Sequence, residues 1–312
     1  MTDDSKSTFG GLTVGKGVAW LVMGLFLAAT LFPIYWTLRS ALSTNQGLIE
    51  QPGSVLPIDA NTFNIERVVT EVSPEEAAAA GGSGQNFDLL TALRNSMIVA
   101  TVVTLGQVLF SAFAAYAFAR LQFRGKNLVF AMYLSALMVP PIFSLIPNFL
   151  FIRDLPSWVP FTDDQFGWIN SLPGIIAPFF LMTPFAVFFL RQFFLGISKE
   201  VEEAAVLDGA GHIRRFFQVI LPMASAPIFT LAILTYVTSW NEFLWPFVVG
   251  KDEDVRVLTV ALNEFKAQTP GTTAPDWTGL MAASFVSSVP ILVLFAIFGR
   301  RVVDSIGFSG IK

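Results

Sequence analysis

Six stretches of this 312-residue chain carry no Asp, Glu, Lys or Arg: 17–38, 95–119, 128–152, 172–190, 219–241 and 277–299. Each is near or above the ~20 apolar residues that a helix needs to cross the hydrocarbon core of a bilayer. Only 13% of the residues are charged and 54% are hydrophobic, with 32 phenylalanines. Soluble domains average about 25% charged. The expected fold is therefore an all-α polytopic membrane protein with six transmembrane helices, not a soluble domain with a large core.

The polar pieces between the spans set the orientation. They are 1–16, 39–94, 120–127, 153–171, 191–218, 242–276 and 300–312. The first apolar run is longer than the ~7–15 residues of a signal-peptide core and lacks a good cleavage site, so it reads as an uncleaved span with a cytoplasmic N-terminus. Placing 1–16, 120–127, 191–218 and 300–312 in the cytoplasm puts 12 of the 19 bases and 7 of the 23 acids there. The other side then holds 7 bases and 16 acids, so +5 inside and −9 outside sum to the formal −4. The positive-inside rule agrees with both termini being cytoplasmic. There is no cysteine, and the single histidine, His212, rules out a histidine metal cluster.

Within these pieces, Gly10 and Gly15-Lys16 match the start of a phosphate-binding loop. Position 17 is glycine where a magnesium-binding hydroxyl is needed, and no strand pattern precedes it, so a flexible tail is expected. Residues 39–94 read as an extracytoplasmic loop, partly ordered at most, with a flexible insertion around the alanine and glycine run at 77–84. The second span is rich in small residues in its later half, which lets helices approach closely, and Gln107 is its polar exception, a candidate for the bundle interior. Pro140, Pro141 and Pro147 must kink or break the third span, either as a bending point near a transport path or as a static packing kink. Trp158 and Trp168 fit an interfacial belt.

The loop before the fifth span has internal order. Glu200, Glu202 and Glu203 lie in the first turn of a helix whose Val201, Ala204 and Ala205 share a face. Asp208, Gly209 and Gly211 then break it. Ile213, Phe216, Phe217, Ile220 and Leu221 repeat with the period of a second amphipathic helix, and Pro222 follows. Two short helices with a glycine bend, held between two spans, make a rigid protruding knob.

The pattern Glu203-Ala204-Ala205, then Gly209, then Val219 and Leu221-Pro222 resembles the "EAA" loop of binding-protein-dependent ABC importer permeases, with Val219 in place of the usual isoleucine. That resemblance implies an ABC importer type I permease fold in which this loop docks on a cytoplasmic ATPase. Carried over by position, Glu203 is the polar contact, Ala204 and Ala205 allow close approach, Gly209 supplies the bend, and Asp208, Gly211, Leu221 and Pro222 complete the coupling segment. The cluster at 240–246, with Trp240, Asn241 and Glu242, resembles the carbohydrate-uptake branch of the family, and the ending at 308–312 looks like its maltose/α-glucoside type, second-permease branch. Trp240, Asn241, Glu242 and Gln107 are thus the substrate-pathway candidates: aromatic faces stack on sugar rings, and amides and carboxylates take hydroxyl hydrogen bonds. The competing reading makes the tryptophans interface anchors and Asn241 a helix cap.

The resemblance implies a permease that binds no cofactor of its own, with ATP and magnesium on two copies of a separate ABC ATPase. It further implies a second permease as heterodimer partner, an extracytoplasmic solute-binding protein, and residence in a bacterial or archaeal cell membrane. Nucleic acid has no place in this reading. An importer permease for another solute remains the alternative. An ion-coupled carrier needs intramembrane charges, and the six apolar stretches have none. A membrane-embedded enzyme would need a catalytic constellation at membrane depth, and none is visible.

Overall fold

The computed structural model describes residues 14–70, 72–79, 88–156, 158–162, 166–266 and 275–307, and among these it is helical throughout. The α-helices in chain order are α1 Val14–Ala41, α2 Asn45–Glu50, α3 Phe63–Val69, α4 Pro74–Ala79, α5 Leu89–Arg120, α6 Lys126–Ser135, α7 Leu145–Arg153, α8 Leu172–Phe180, α9 Pro184–Gly196, α10 Lys199–Leu207, α11 His212–Arg215, α12 Leu221–Met223, α13 Ser225–Trp240, α14 Leu244–Val249, α15 Leu258–Ala261 and α16 Trp277–Gly307. A π-helical segment, Phe216–Ile220, joins α11 to α12. Of the phosphate-loop-like pattern, Gly10 lies outside the described residues, as does the glycine-rich run 80–87, while Gly15 and Lys16 fall in the first turn of α1.

Three helices are long and apolar enough to span a bilayer alone: Lys16–Ala41, Leu89–Arg120 and Trp277–Gly299. Three further spans arise only if bent helix pairs count as one crossing each. These are Lys126–Met138 with Pro141–Arg153 at 96°, Leu172–Phe180 with Pro184–Gly196 at 45°, and His212–Met223 with Ser225–Trp240 at 79°. The first break falls at Pro140-Pro141, as proline chemistry requires. The second was not expected from the apolar run 172–190. It arises because Pro184 opens a new helix, with the Thr183 side chain capping it by accepting from Ala186 N. The third places the turn at Ala224, so the helical run entering α13 starts at His212 and not at 219.

The chain divides into two compact units, 1–86 with 265–286 and 87–264 with 287–312. In the first, described residues 39–67 of the piece expected to be at most partly ordered are tied together by buried polar groups. Arg39 is buried, lies over the Trp36 ring at 5.0 Å, and donates from Nε to Leu56 O at 3.2 Å. Asn64 donates to Ala41 O and Ser43 O. Arg67 meets Asp276 through two contacts, 2.6 and 2.7 Å, with both partners buried. Many large apolar side chains of α1, Trp20 and Phe26 among them, stand exposed, as suits a helix whose solvent is lipid.

The second unit is built around α5, against which α8, α9 and α13 pack. Its small residues fulfil the expected role: Ser111, Ala112, Ala115 and Ala119 are buried against Leu190, Phe194, Phe216 and Leu231. The N-terminus of α5 is set by Asp88, whose side chain accepts from Thr91 N, so the helix starts before the uncharged run that marked it in sequence. The Phe113 ring stacks on Phe216 at 4.8 Å and anchors the π segment to α5.

Candidate functional site

The knob begins at Ser198, whose hydroxyl accepts from Glu200 N and starts α10. It ends in a glycine cap. Gly209 has φ +76°, its amide donates to Val206 O, and Ala210 N donates to Ala205 O. This pair of bonds is a Schellman motif and satisfies two carbonyls that the helix end leaves open. Gly209 therefore makes the bend, whereas Gly211 has φ −68° and simply precedes α11. Along α10, Glu203 and Ala204 are exposed and Ala205 is half-buried, while Asp208 is exposed at the C-cap. Leu221 and Pro222 open α12 beyond the π segment.

Two features of the knob escaped the sequence reading. Leu207 and Ile213, on either side of the bend, are 88% and 77% exposed, so the tip presents apolar surface around its polar residues. Further, the three acids near the start of α10 are not equivalent, and only Glu200 and Glu202 fall in its first turn. Glu202 is buried against Arg120 at the end of α5, with Nε and Oε1 2.7 Å apart but without the alignment of a hydrogen bond. The same guanidinium donates from Nη2 to Phe194 O and Ile197 O, 2.6 Å each, at the C-terminus of α9. Arg191 of α9 returns the contact by donating to Phe118 O in the last turn of α5. Each arginine thus caps carbonyls of the other helix, where a cation also meets the negative end of the helix dipole. Glu202 ties the knob to that crossing.

The second candidate group is divided by the structure. Gln107, Trp240 and Glu242 line one cavity of about 180 Å³ between α5, α8 and α13. Gln107 Nε2 donates to Thr183 Oγ1 at 3.2 Å. Trp240 is buried and its ring stacks on Tyr236. Glu242 Oε1 accepts from Trp245 N at 3.3 Å, the first turn of α14, and its carbonyl accepts from Thr259. Asn241 does not reach the cavity: its side chain donates to Val237 O at 2.7 Å, one turn back, and closes the end of α13. For Asn241 the helix-cap reading holds. Trp245, taken in sequence only as part of the cluster, is buried and donates from its indole to Gly174 O, fixing α14 against α8. Among the described residues no group of three or more His, Cys, Asp or Glu side chains converges to hold a metal.

Residues 107–306, which include both groups, match the model of the family described as binding-protein-dependent transport system inner membrane component. Among curated relatives, a probable ABC transporter permease protein of Bacillus subtilis, YurM, is 30% identical over 300 residues, covering 96% of this chain and 89% of its own. The diacetylchitobiose uptake system permease protein of Streptomyces coelicolor, NgcG, is 30% identical over 283 residues, covering 90% and 84%. The fold is shared with a chain of a bacterial ABC transporter involved in the import of the acidic polysaccharide alginate, with TM-score 0.72, 20% identity, and 94% and 99% coverage. Helices long and apolar enough to cross a membrane, a glycine-bent loop between α10 and α11, and these likenesses over nearly the whole chain identify a permease: the chain belongs to the binding-protein-dependent transport system inner membrane component family.

Proposed function

We propose that this chain is one of two permeases in an ATP-driven, binding-protein-dependent sugar importer. It works as a heterodimer with a second permease, taking oligosaccharides or α-glucosides through by alternating access. The chain hydrolyses nothing itself. Two copies of a cytoplasmic ABC ATPase bind ATP and magnesium, close on one another, and drive the knobs. A solute-binding protein delivers the cargo from outside to a bacterial or archaeal cell membrane, in which both termini of this chain face the cytoplasm.

One observation carries this reading: the knob is exposed where it would meet a motor and fixed where it joins the spans. Glu203 is open to solvent, as are the apolar Leu207 and Ile213 on either side of the bend, while Glu202, one residue from Glu203, is buried against Arg120. A force applied at the tip therefore passes into α5 and α9 through a stiff base. The Schellman bend keeps the two halves of the tip in register. The test is Glu203→Lys, assayed for uptake of labelled maltose in cells expressing the whole importer and for membrane insertion by fractionation. Loss of uptake with normal insertion is expected. Undiminished uptake would remove Glu203 from the contact.

The sugar assignment draws on Trp240, Glu242 and Gln107 meeting at one cavity, and on a relative named for diacetylchitobiose. An aromatic face beside hydrogen-bond acceptors is the chemistry that recognises a sugar ring.

A further inference from the structure

The cavity beside α13 has a definite electrostatic character. Its walls are mostly apolar, with Trp240 and Phe179 as aromatic faces, and are interrupted by Gln107, Thr235, Ser239 and Glu242. Among the described residues lining it there is no Lys, Arg or His, and the one charged group is the Glu242 carboxylate. One oxygen of that carboxylate caps α14 through Trp245 N, which leaves the other as an acceptor. The Gln107 amide spends an N–H on Thr183, which leaves its carbonyl oxygen as an acceptor too. A volume of about 180 Å³ is close to the ~150 Å³ of an apolar cavity that admits one benzene ring, so there is room for one sugar ring.

We infer that this cavity is a subsite for a single uncharged, polyhydroxylated sugar ring, and that Glu242 sets it against acidic glycans. The inference rests on the sugar-importer reading and narrows it. Hydroxyl hydrogens of a neutral ring satisfy the Glu242 and Gln107 acceptors, and the apolar wall, with half-buried Phe179 in it, meets the C–H side of the ring. A uronic acid brings a second carboxylate into the same walls with no cation to pair it. Two like charges roughly 6 Å apart at an effective dielectric near 20 weaken binding by about a hundredfold. After solvent screening through the cavity mouth, at least a tenfold preference for the neutral ring remains.

The natural absence of cysteine gives a direct readout. Ser239→Cys gives this chain its single thiol, in the cavity wall, and methyl methanethiosulfonate, small and neutral, reports whether that thiol is covered when labelling is read on this chain by mass. The complete importer carrying Ser239→Cys, in lipid nanodiscs, is labelled with increasing methyl α-D-glucopyranoside or with its C6 acid, methyl α-D-glucuronide. The neutral glycoside is expected to slow labelling at concentrations at least tenfold lower than the acid. Adding Glu242→Gln, which keeps an oxygen to cap α14 but removes the charge, is expected to bring the two within about threefold. Equal protection by both glycosides in the Ser239→Cys importer would overturn the selectivity assigned to Glu242. Protection by neither, in an importer that still takes up sugar on ATP, would overturn the subsite while leaving the permease function standing. Absence of ATP-dependent uptake of any sugar, by contrast, would refute the transport reading beneath it.

Discussion

Glu202→Ala isolates the mechanical role of the knob's base. In the folded protein the Glu202 carboxylate lies 2.7 Å from Arg120 Nε, and the two side chains are 12% and 6% exposed. Removing it leaves a buried guanidinium without a counter-charge, and breaking such a pair costs ~3–5 kcal/mol. Two features favour the lower end. The contact lacks hydrogen-bond alignment, and Arg120 keeps its bonds to Phe194 O and Ile197 O. A loss of ~3 kcal/mol raises the equilibrium for local opening of α10 about 150-fold, at 1.36 kcal/mol per tenfold. Hydrogen exchange at amides of 199–207, followed by mass spectrometry in nanodiscs, measures that opening. Glu203→Ala is the internal control, because the exposed neighbour should change stability by no more than ~0.5 kcal/mol. Exchange in Glu202→Ala within threefold of the unmodified protein would refute the argument that this ion pair holds the knob.

Three further outcomes follow from the same geometry. Arg67→Ala should cost ~3–5 kcal/mol by breaking a buried ion pair, and Arg67→Lys should fail to restore it because one ammonium cannot replace the two-pronged contact with Asp276; cleavage of 51–62 by an added protease measures both. Gly209→Ala should cost ~1–2 kcal/mol of local stability for backbone reasons alone, since φ is +76° and a Cβ there meets nothing within 4 Å; Gly211→Ala, at φ −68°, should be nearly silent in the same uptake assay. The Asp88 carboxyl is held below the usual range chiefly by its hydrogen bonds with Thr91. Its stabilisation of the start of α5 is thus present above the unfolded pKa of about 3.9 and is lost as pH falls through the lower folded value. Asp88→Ala should lose ~1 kcal/mol of capping at neutral pH and flatten that acid response, read by exchange in the first turn of α5.

The features legible in the sequence were those decided locally. Charge-free runs mark spans because lipid tolerates little else, Pro140-Pro141 must break a helix, and Gly209 sits where only a left-handed residue closes the turn. The break before Pro184 was hidden inside an apolar run, although the pair Thr183-Pro184 carried its signal as N-cap and first helical residue. Distant partners were not legible. Nothing in the run Glu200, Glu202, Glu203 says which acid is buried, because the choice is made by Arg120 at the end of another helix. Residues 39–94 looked loose because their ordering groups, Arg67 and Asp276, lie far apart in the chain. The cavity was half visible. Residue types nominated Gln107, Trp240 and Glu242, but only packing could separate them from Asn241, whose amide is spent on its own helix.

The π segment at 216–220 has a consequence for the aim of the knob. A π turn houses one residue more than an α turn, and such bulges concentrate at functional sites. The surplus lies between α11 and α12, with Gln218 as an exposed member. Excising that single residue would let the strip relax to ordinary pitch and rotate everything before it by about 100° around the axis. Glu203 would then keep its chemistry and face the wrong compass bearing. Spacing within this loop is thus a matter of phase: a one-residue slip costs the Arg214–Gln218 hydrogen bond and the seating of Glu202 on Arg120, and turns Glu203 away.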